Sequence, residues 1–164
     1  GMVDYVFLGG AQIDTYGNLN STFIGDPEHP KVVLPGSGGA NDLASFCWRT
    51  LVITPQNPRR FVPKLDFLTT PGYLTGKGAR EAAGLPAGTG PYRVITQLGV
   101  YGFEEESKRM QLLALHPGVT VDQVRAESEF EILLAPEIST TVPPTAKERS
   151  LLHAIDPMGM AVGK

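Results

Sequence analysis

Cysteine is nearly missing from the 164 residues: Cys47 stands alone, so no intrachain disulfide can form and a reducing, cytoplasmic setting is expected. Long apolar runs are missing as well. Stretches such as Val32-Val33-Leu34 fall far short of the roughly 20 residues that span a bilayer, and no basic segment followed by an apolar one opens the chain, so neither a membrane span nor a signal peptide is expected. Charge is sparse and balanced. With 14 basic against 17 acidic residues the net charge is −3, which offers no general attraction to nucleic acid or to an anionic membrane. Metal-ligand spacing is lacking too: His29, His116 and His153 are scattered, with no cysteine or carboxylate partner at the right interval, and no zinc, iron or other metal site is expected.

Glycine and proline are plentiful, 19 and 14 residues, about a fifth of the chain where roughly an eighth is usual, which excludes an all-helical bundle. At 41% hydrophobic residues one packed domain over 1–164 is expected. Val3 to Leu8 reads as a buried strand ended by Gly9-Gly10, and Asp14 to Asn20 as a polar turn before Thr22-Phe23-Ile24. Lys31 to Leu34 is a further strand. A glycine turn follows, and Ala40 to Cys47 then reads as a helix with Ala40, Leu43 and Cys47 on one face. Thr50 to Thr54 and Phe61 to Leu68 read as strands, the second at an edge or bulge because of Pro63. From Pro71 to Pro91 glycines and prolines leave a long structureless loop, of the kind that is usually functional or mobile. Tyr92 to Leu98, Val100 to Phe103 and Met110 to Leu115 read as strands, with Glu104-Glu105-Glu106 in a solvated turn between the last two. Capping boxes at Thr120-Val121-Asp122-Gln123 and Thr145-Ala146-Lys147-Glu148 open two helices, on either side of a strand at Phe130 to Leu134. Leu151, Leu152 and Ile155 give the last helix an apolar face.

Two clusters could carry chemistry. Gly36-Ser37-Gly38-Gly39-Ala40-Asn41-Asp42 lies between a strand and a helix, where backbone N–H groups converge. Such a loop takes an oxyanion or a phosphate, or is a tight turn whose Asn41 or Asp42 satisfies first-turn donors. No Gly-Lys-Ser/Thr follows, so it is no Walker loop. The second cluster runs from Gly10 to Asn20, where Gln12, Asn18 and Asn20 offer amides just past a strand end, the edge at which open parallel sheets bind ligands, or else simply build a turn. Cys47, on the apolar helix face, reads as a buried inert thiol, and no serine nucleophile elbow is present.

Together these clusters, Leu8-Gly9-Gly10-Ala11-Gln12-Ile13-Asp14-Thr15-Tyr16-Gly17-Asn18-Leu19-Asn20 and Leu34-Pro35-Gly36-Ser37-Gly38-Gly39-Ala40-Asn41-Asp42-Leu43, resemble the family I coenzyme A transferases, in particular β subunits of the glutaconate CoA-transferase type. The likeness continues through Thr70-Pro71-Gly72-Tyr73-Leu74, Gly90-Pro91-Tyr92-Arg93-Val94-Ile95-Thr96, Gly99-Val100-Tyr101-Gly102-Phe103 and Leu115-His116-Pro117-Gly118-Val119-Thr120. It implies an α/β fold with an open, largely parallel sheet flanked by helices. It also implies exchange of CoA between an acyl-CoA and a carboxylic acid, with coenzyme A as substrate and no permanently bound cofactor, through a glutamate that attacks the thioester. The family's glutamate segment has no counterpart in these residues, and Glu104, Glu105 and Glu106 do not match it. The expectation is therefore a subunit or lobe that is inactive alone and pairs with an α-type subunit or a second copy. By the resemblance Gly36, Ser37, Gly38, Gly39, Ala40 and Asn41 wall the acyl-CoA site, Gly38 or Gly39 supplies an oxyanion N–H, and Gln12 and Asn18 position the loop or the acyl carboxylate. Two other functions stand beside it: an acyl-CoA hydrolase of the steroid-ring-opening branch, which departs from the Gly36 to Asp42 pattern, and a non-catalytic acyl-CoA-binding or assembly module.

Overall fold

Residues 3–160 are described by the computed structural model, so the outermost residues of the domain expected over 1–164 lie outside the described residues. In chain order the elements are β1 (Tyr5–Leu8), β2 (Gln12–Ile13), β3 (Leu19–Asn20), β4 (Phe23–Gly25), β5 (Pro30–Val33), α1 (Ala40–Phe46), β6 (Arg49–Ile53), α2 (Ala79–Ala82), β7 (Pro91–Ile95), β8 (Gly99–Phe103), β9 (Met110–Leu115), α3 (Val121–Ala126), β10 (Leu133–Thr140) and α4 (Ala146–Ile155). Six strands form one mixed sheet in the order β1-β6-β7-β8-β9-β10. β1, β6 and β7 run parallel, as do β9 and β10, whereas β7-β8 and β8-β9 are antiparallel hairpin neighbours. β2 pairs with β3 and β4 with β5 in small antiparallel ribbons beside it. This is the expected α/β architecture, with helices on a mostly parallel sheet.

Alternation sets which face is buried. Thr50 and Val52 of β6, Val94 of β7, Tyr101 of β8 and Met110 and Leu112 of β9 point to one side. There they meet Ile13 and Leu19 from the β2-β3 ribbon, Phe61, Val124 of α3 and Ile132, which together form the core. Phe61 lies 5.9 Å from Phe130 in a stacked pair and 6.2 Å from Tyr101. Burial pushes the Tyr101 hydroxyl up to about 12, and that hydroxyl donates to Gln56. Both capping boxes form as the sequence predicts, at Thr120 and at Thr145.

Several expectations are corrected. β1 is not buried: it is the sheet edge, with Tyr5 59% and Phe7 64% exposed and only Val6 inside. The strand predicted over Phe61 to Leu68 reduces to one bridge, Phe61 to Ile13, since Pro63 removes a ladder donor and the Asp66 amide is drawn to the Gln12 side chain. The strand predicted at Phe130 to Leu134 begins only at Leu133 and runs on to Thr140. In α1 the buried residues are Ala44 and Ser45, with Cys47 just beyond, while Leu43 faces outward. The apolar face of α4 is uncovered, with Leu151, Leu152 and Ile155 all exposed. No helix of the described residues is long and apolar enough to cross a membrane.

The segment from Pro71 to Pro91 is not structureless. It contains α2 and wraps around Arg80, which is 1% exposed. One guanidinium nitrogen donates to the Pro71 and Gly72 carbonyls at 3.1 and 2.8 Å, the other to Ala44 O at 3.0 Å, Ser45 O at 3.5 Å and Thr89 Oγ1 at 2.9 Å. Burial pulls its pKa below the ordinary arginine value, and its acceptors are neutral carbonyls and a hydroxyl. Gly72 lies where only glycine fits: a Cβ there would sit 2.3 Å from the Gly17 carbonyl carbon. Arg80→Leu should therefore lower unfolding free energy by more than about 2 kcal/mol in urea denaturation, because buried carbonyls on both sides lose charged donors. Arg80→Lys should not restore it, since a point charge cannot serve two separated carbonyl groups. A loss below about 0.5 kcal/mol for Arg80→Leu would remove Arg80 as the anchor of this segment.

Candidate functional site

The loop from Gly36 to Asn41 is fixed at its root by main chain and hydroxyls. Leu34 N donates to Thr22 O and Gly36 N to Ser21 O, both at 2.9 Å, and Ser21 Oγ donates back to Gly36 O at 3.0 Å. Thr69 holds that root from behind: its hydroxyl accepts from Ser21 N at 2.9 Å and meets the Thr22 hydroxyl at 2.7 Å. Ser37 Oγ accepts from the Asn41 amide at 3.1 Å, and Ala40 N donates to Ser37 O at 2.9 Å. Ser37 therefore does the first-turn capping expected of the Asn41 or Asp42 side chain. Gly39, the residue before α1, carries no side-chain cap.

The crest of the loop is bare. Gly38 and Gly39 are exposed, and a Cβ built on Gly36, Gly38 or Gly39 would meet nothing within 4 Å. Gly36 (φ +86°) and Gly38 (φ +50°) adopt the left-handed region that favours glycine. Gly39, with φ −87° and ψ 0°, lies outside the left-handed region. Among the described residues, the amides of Gly38 and Gly39 donate to no protein acceptor. The loop thus carries, on exposed residues, two N–H donors without a protein partner among the described residues.

Gln12 and Asn18 are buried and engaged within the chain. Gln12 Nε2 donates to Asp66 at 2.9 Å, while its oxygen accepts from Asn20 Nδ2 at 2.8 Å and from the Asp66 amide at 3.0 Å. Asn20 in turn accepts from Thr22 N and donates to Phe23 O, so Gln12 braces the strand on which the glycine loop is rooted. Asn18 Nδ2 donates to Asp14 and to Leu74 O, and its oxygen accepts from the amides of Gly72 and Leu74. Burial raises the Asp14 pKa against the opposing hydrogen bonds from Asn18 and Tyr16. Asn18 therefore staples the 14–18 turn to the segment that Arg80 ties to α1. Arg80, Ser21 and Thr69 carry no signal in the sequence, because no motif marks a lone arginine among small residues or a hydroxyl that works through the main chain.

Among the described residues no group of three or more His, Cys, Asp or Glu could hold a metal ion. Both ring nitrogens of His116 are engaged, with Thr141 Oγ1 and Thr96 O, and Cys47 is buried and in no disulfide.

A family model described as Coenzyme A transferase matches residues 1–127. The chain is 41% identical over 151 residues to the B-type subunit of glutaconate CoA-transferase from Acidaminococcus fermentans, covering 92% of this chain and 56% of that protein. It is 42% identical over 156 residues to the B-type subunit of 3-oxoadipate CoA-transferase from Pseudomonas knackmussii, covering 95% and 60% respectively. The crystal structure of the Acidaminococcus fermentans glutaconate coenzyme A-transferase superposes with a TM-score of 0.92 at 38% identity, over 98% of this chain and 61% of that one. The chain thus spans somewhat more than half the length of the relatives it matches.

The acidic triplet lies in the hairpin between β8 and β9. Glu104 accepts from Glu106 N at 2.9 Å, from Ser107 N at 2.6 Å and from Ser107 Oγ at 2.7 Å. These bonds, the serine hydroxyl first, hold its pKa down to about 2. A carboxylate this occupied works as a turn cap. Because the folded pKa lies below the ordinary value of 4.5, the stabilisation is full above that value and is lost as pH falls toward 2. A carbon-detected NMR titration should place Glu104 near 2, and Glu104→Gln should flatten the fall in stability over that window; an ordinary glutamate titration would refute the cap.

Proposed function

This chain belongs to the family I coenzyme A transferases, among their B-type subunits, and on that premise we propose that it forms the glycine-loop half of an enzyme moving CoA between an acyl-CoA and a carboxylic acid of the glutaconate type. The observation that carries the reading is the state of Gly38 and Gly39: two exposed N–H groups with no partner among the described residues, on a loop anchored at both ends. A thioester carbonyl gains negative charge when a nucleophile adds to it, and preorganised amides aimed at that oxygen lower the barrier. Gly39 sharpens the reading. Its φ is negative and no described atom crowds a Cβ there, so the glycine leaves the backbone open to a molecule that approaches the loop from outside.

In this reading Gly36, Ser37, Ala40 and Asn41 shape the wall of the acyl-CoA site. Gln12 works as a positioning residue through Asn20, and Asn18 through the Arg80 segment. Coenzyme A is a substrate and no cofactor stays bound. The attacking glutamate comes from protein outside these 164 residues, and an A-type subunit completes the site. Both CoA-transferase relatives described above are B-type subunits by name, which supports that pairing. These residues alone would then not turn over.

Gly39→Val tests the reading, since its φ of −87° lets the fold tolerate the change. In the assembled enzyme acyl-CoA exchange should fall by about 10²–10³ while the melting temperature holds, because the added side chain keeps the thioester oxygen away from the amides, at a cost like that of losing an oxyanion donor. Exchange that persists undiminished would remove the loop from the chemistry. Running the same assay without acceptor acid separates transfer, which stops, from hydrolysis, which continues.

A further inference from the structure

The amide, the carbonyl and the hydroxyl of Ser21 are all engaged, and two of them hold the same residue of the glycine loop. The Ser21 carbonyl accepts from Gly36 N at 2.9 Å and the hydroxyl donates to Gly36 O at 3.0 Å, so Gly36 is clamped at both its polar groups. Ser21 is itself fixed through its amide, which donates to Thr69 Oγ1 at 2.9 Å. Thr69 is buried, and its own amide donates at 2.9 Å to the carbonyl of Leu19, a core residue. The grip on Gly36 is thus rooted in the buried β2-β3 ribbon. One main-chain bond, from Gly36 N to Ser21 O, is enough to tether the loop; the hydroxyl adds control over which way the Gly36 carbonyl faces.

That direction has a consequence one atom further on. A peptide group is planar, and in the trans form its C=O and the following N–H point in opposite directions. The Gly36–Ser37 peptide is trans, so with its oxygen turned onto Ser21 it turns the Ser37 N–H away from the loop root. That amide donates to no acceptor among the described residues. The next peptide is held in the same manner: Ser37 O accepts from Ala40 N at 2.9 Å, which turns the Gly38 N–H away from the first turn of α1. Donors fixed from behind in this way need no rearrangement when charge develops in front of them, which is the condition for electrostatic stabilisation of a transition state. We infer that Ser21 is a positioning residue, which through the Gly36–Ser37 peptide plane aims the Ser37 N–H at the thioester oxygen as a donor beside those of Gly38 and Gly39. This rests on the transferase reading and assigns two residues to it that the glycine motif does not mark.

The donor itself can be removed. In the assembled enzyme an ester in place of the Ser37 amide, introduced with the α-hydroxy acid analogue of serine, deletes the N–H and keeps every side chain. Exchange should then lose about 10²-fold in kcat with KM within about twofold, because the donor serves the transition state more than the bound substrate. Ser21→Ala should lower kcat about tenfold, and Ser21→Thr, which keeps the hydroxyl, should recover most of it. Combined with the Ser37 ester, Ser21→Ala should cost nothing more, since the hydroxyl acts through that amide; a purely structural serine would add its own loss. A Ser37 ester with unchanged kcat, or losses from Ser21→Ala and the ester that multiply, overturns the assignment. An ester at Gly38 keeps the two levels apart. If it slows exchange while the Ser37 ester does not, only Ser21 and Ser37 leave the mechanism, whereas exchange indifferent to both esters sinks the glycine-loop reading itself.

Discussion

A buried guanidinium whose hydrogen bonds all go to neutral acceptors is the constraint around which this chain is arranged. Desolvating Arg80 is costly, and the cost is met by charge-assisted bonds to carbonyls from two separate segments. Those of Ala44 and Ser45 lie in the last turn of α1, where a helix leaves its acceptors unpaired and its dipole is negative. One side chain thus relieves two problems: the orphan carbonyls at the end of a short helix and the exposed main chain of a glycine-rich loop. The compensation is incomplete, since Arg80 Nε is buried without a partner among the described residues. Moving α1 would therefore break the order of the whole 71–91 segment.

The other end of α1 is the glycine loop, and it is held by polar side chains too. Gln12 and Asn20 brace the Ser21–Thr22 turn, and Thr69 ties that turn to the segment before Pro71. The rod between is short, seven residues, so its two anchors leave little freedom for the loop crest. What is rigid here is rooted in buried amides and hydroxyls, and what is exposed is main chain. That division suits a surface on which backbone donors must keep their aim.

Legibility followed locality. Capping boxes at Thr120 and Thr145 were readable because the two partners lie three residues apart. The hairpin strands from β7 to β9 were readable because neighbours in sequence pair in space. The glycine loop was visible from its composition, though the choice of Ser37 over Asn41 as the cap was not, since both residue types cap equally well. Phe61 to Leu68 failed because β propensity says nothing about whether a partner edge is free. Arg80 was invisible for a stronger reason: its meaning lies in carbonyls up to 36 residues away, and carbonyls carry no signature in sequence.

The glycines themselves divide into two kinds. Gly72 and Gly99 are required from within, because a Cβ on either would stand 2.3 Å from main-chain atoms of another strand or turn. Gly36 and Gly38 are explained by positive φ alone. Gly39 fits neither account: its φ is negative and its surroundings are empty. A glycine in such a place lowers stability slightly, by leaving the unfolded chain more freedom than alanine would. Folding therefore does not ask for it. On the proposed function, a glycine here leaves the backbone open to a ligand approaching from outside, which is why the case for a ligand at this loop turns on Gly39 more than on the motif as a whole.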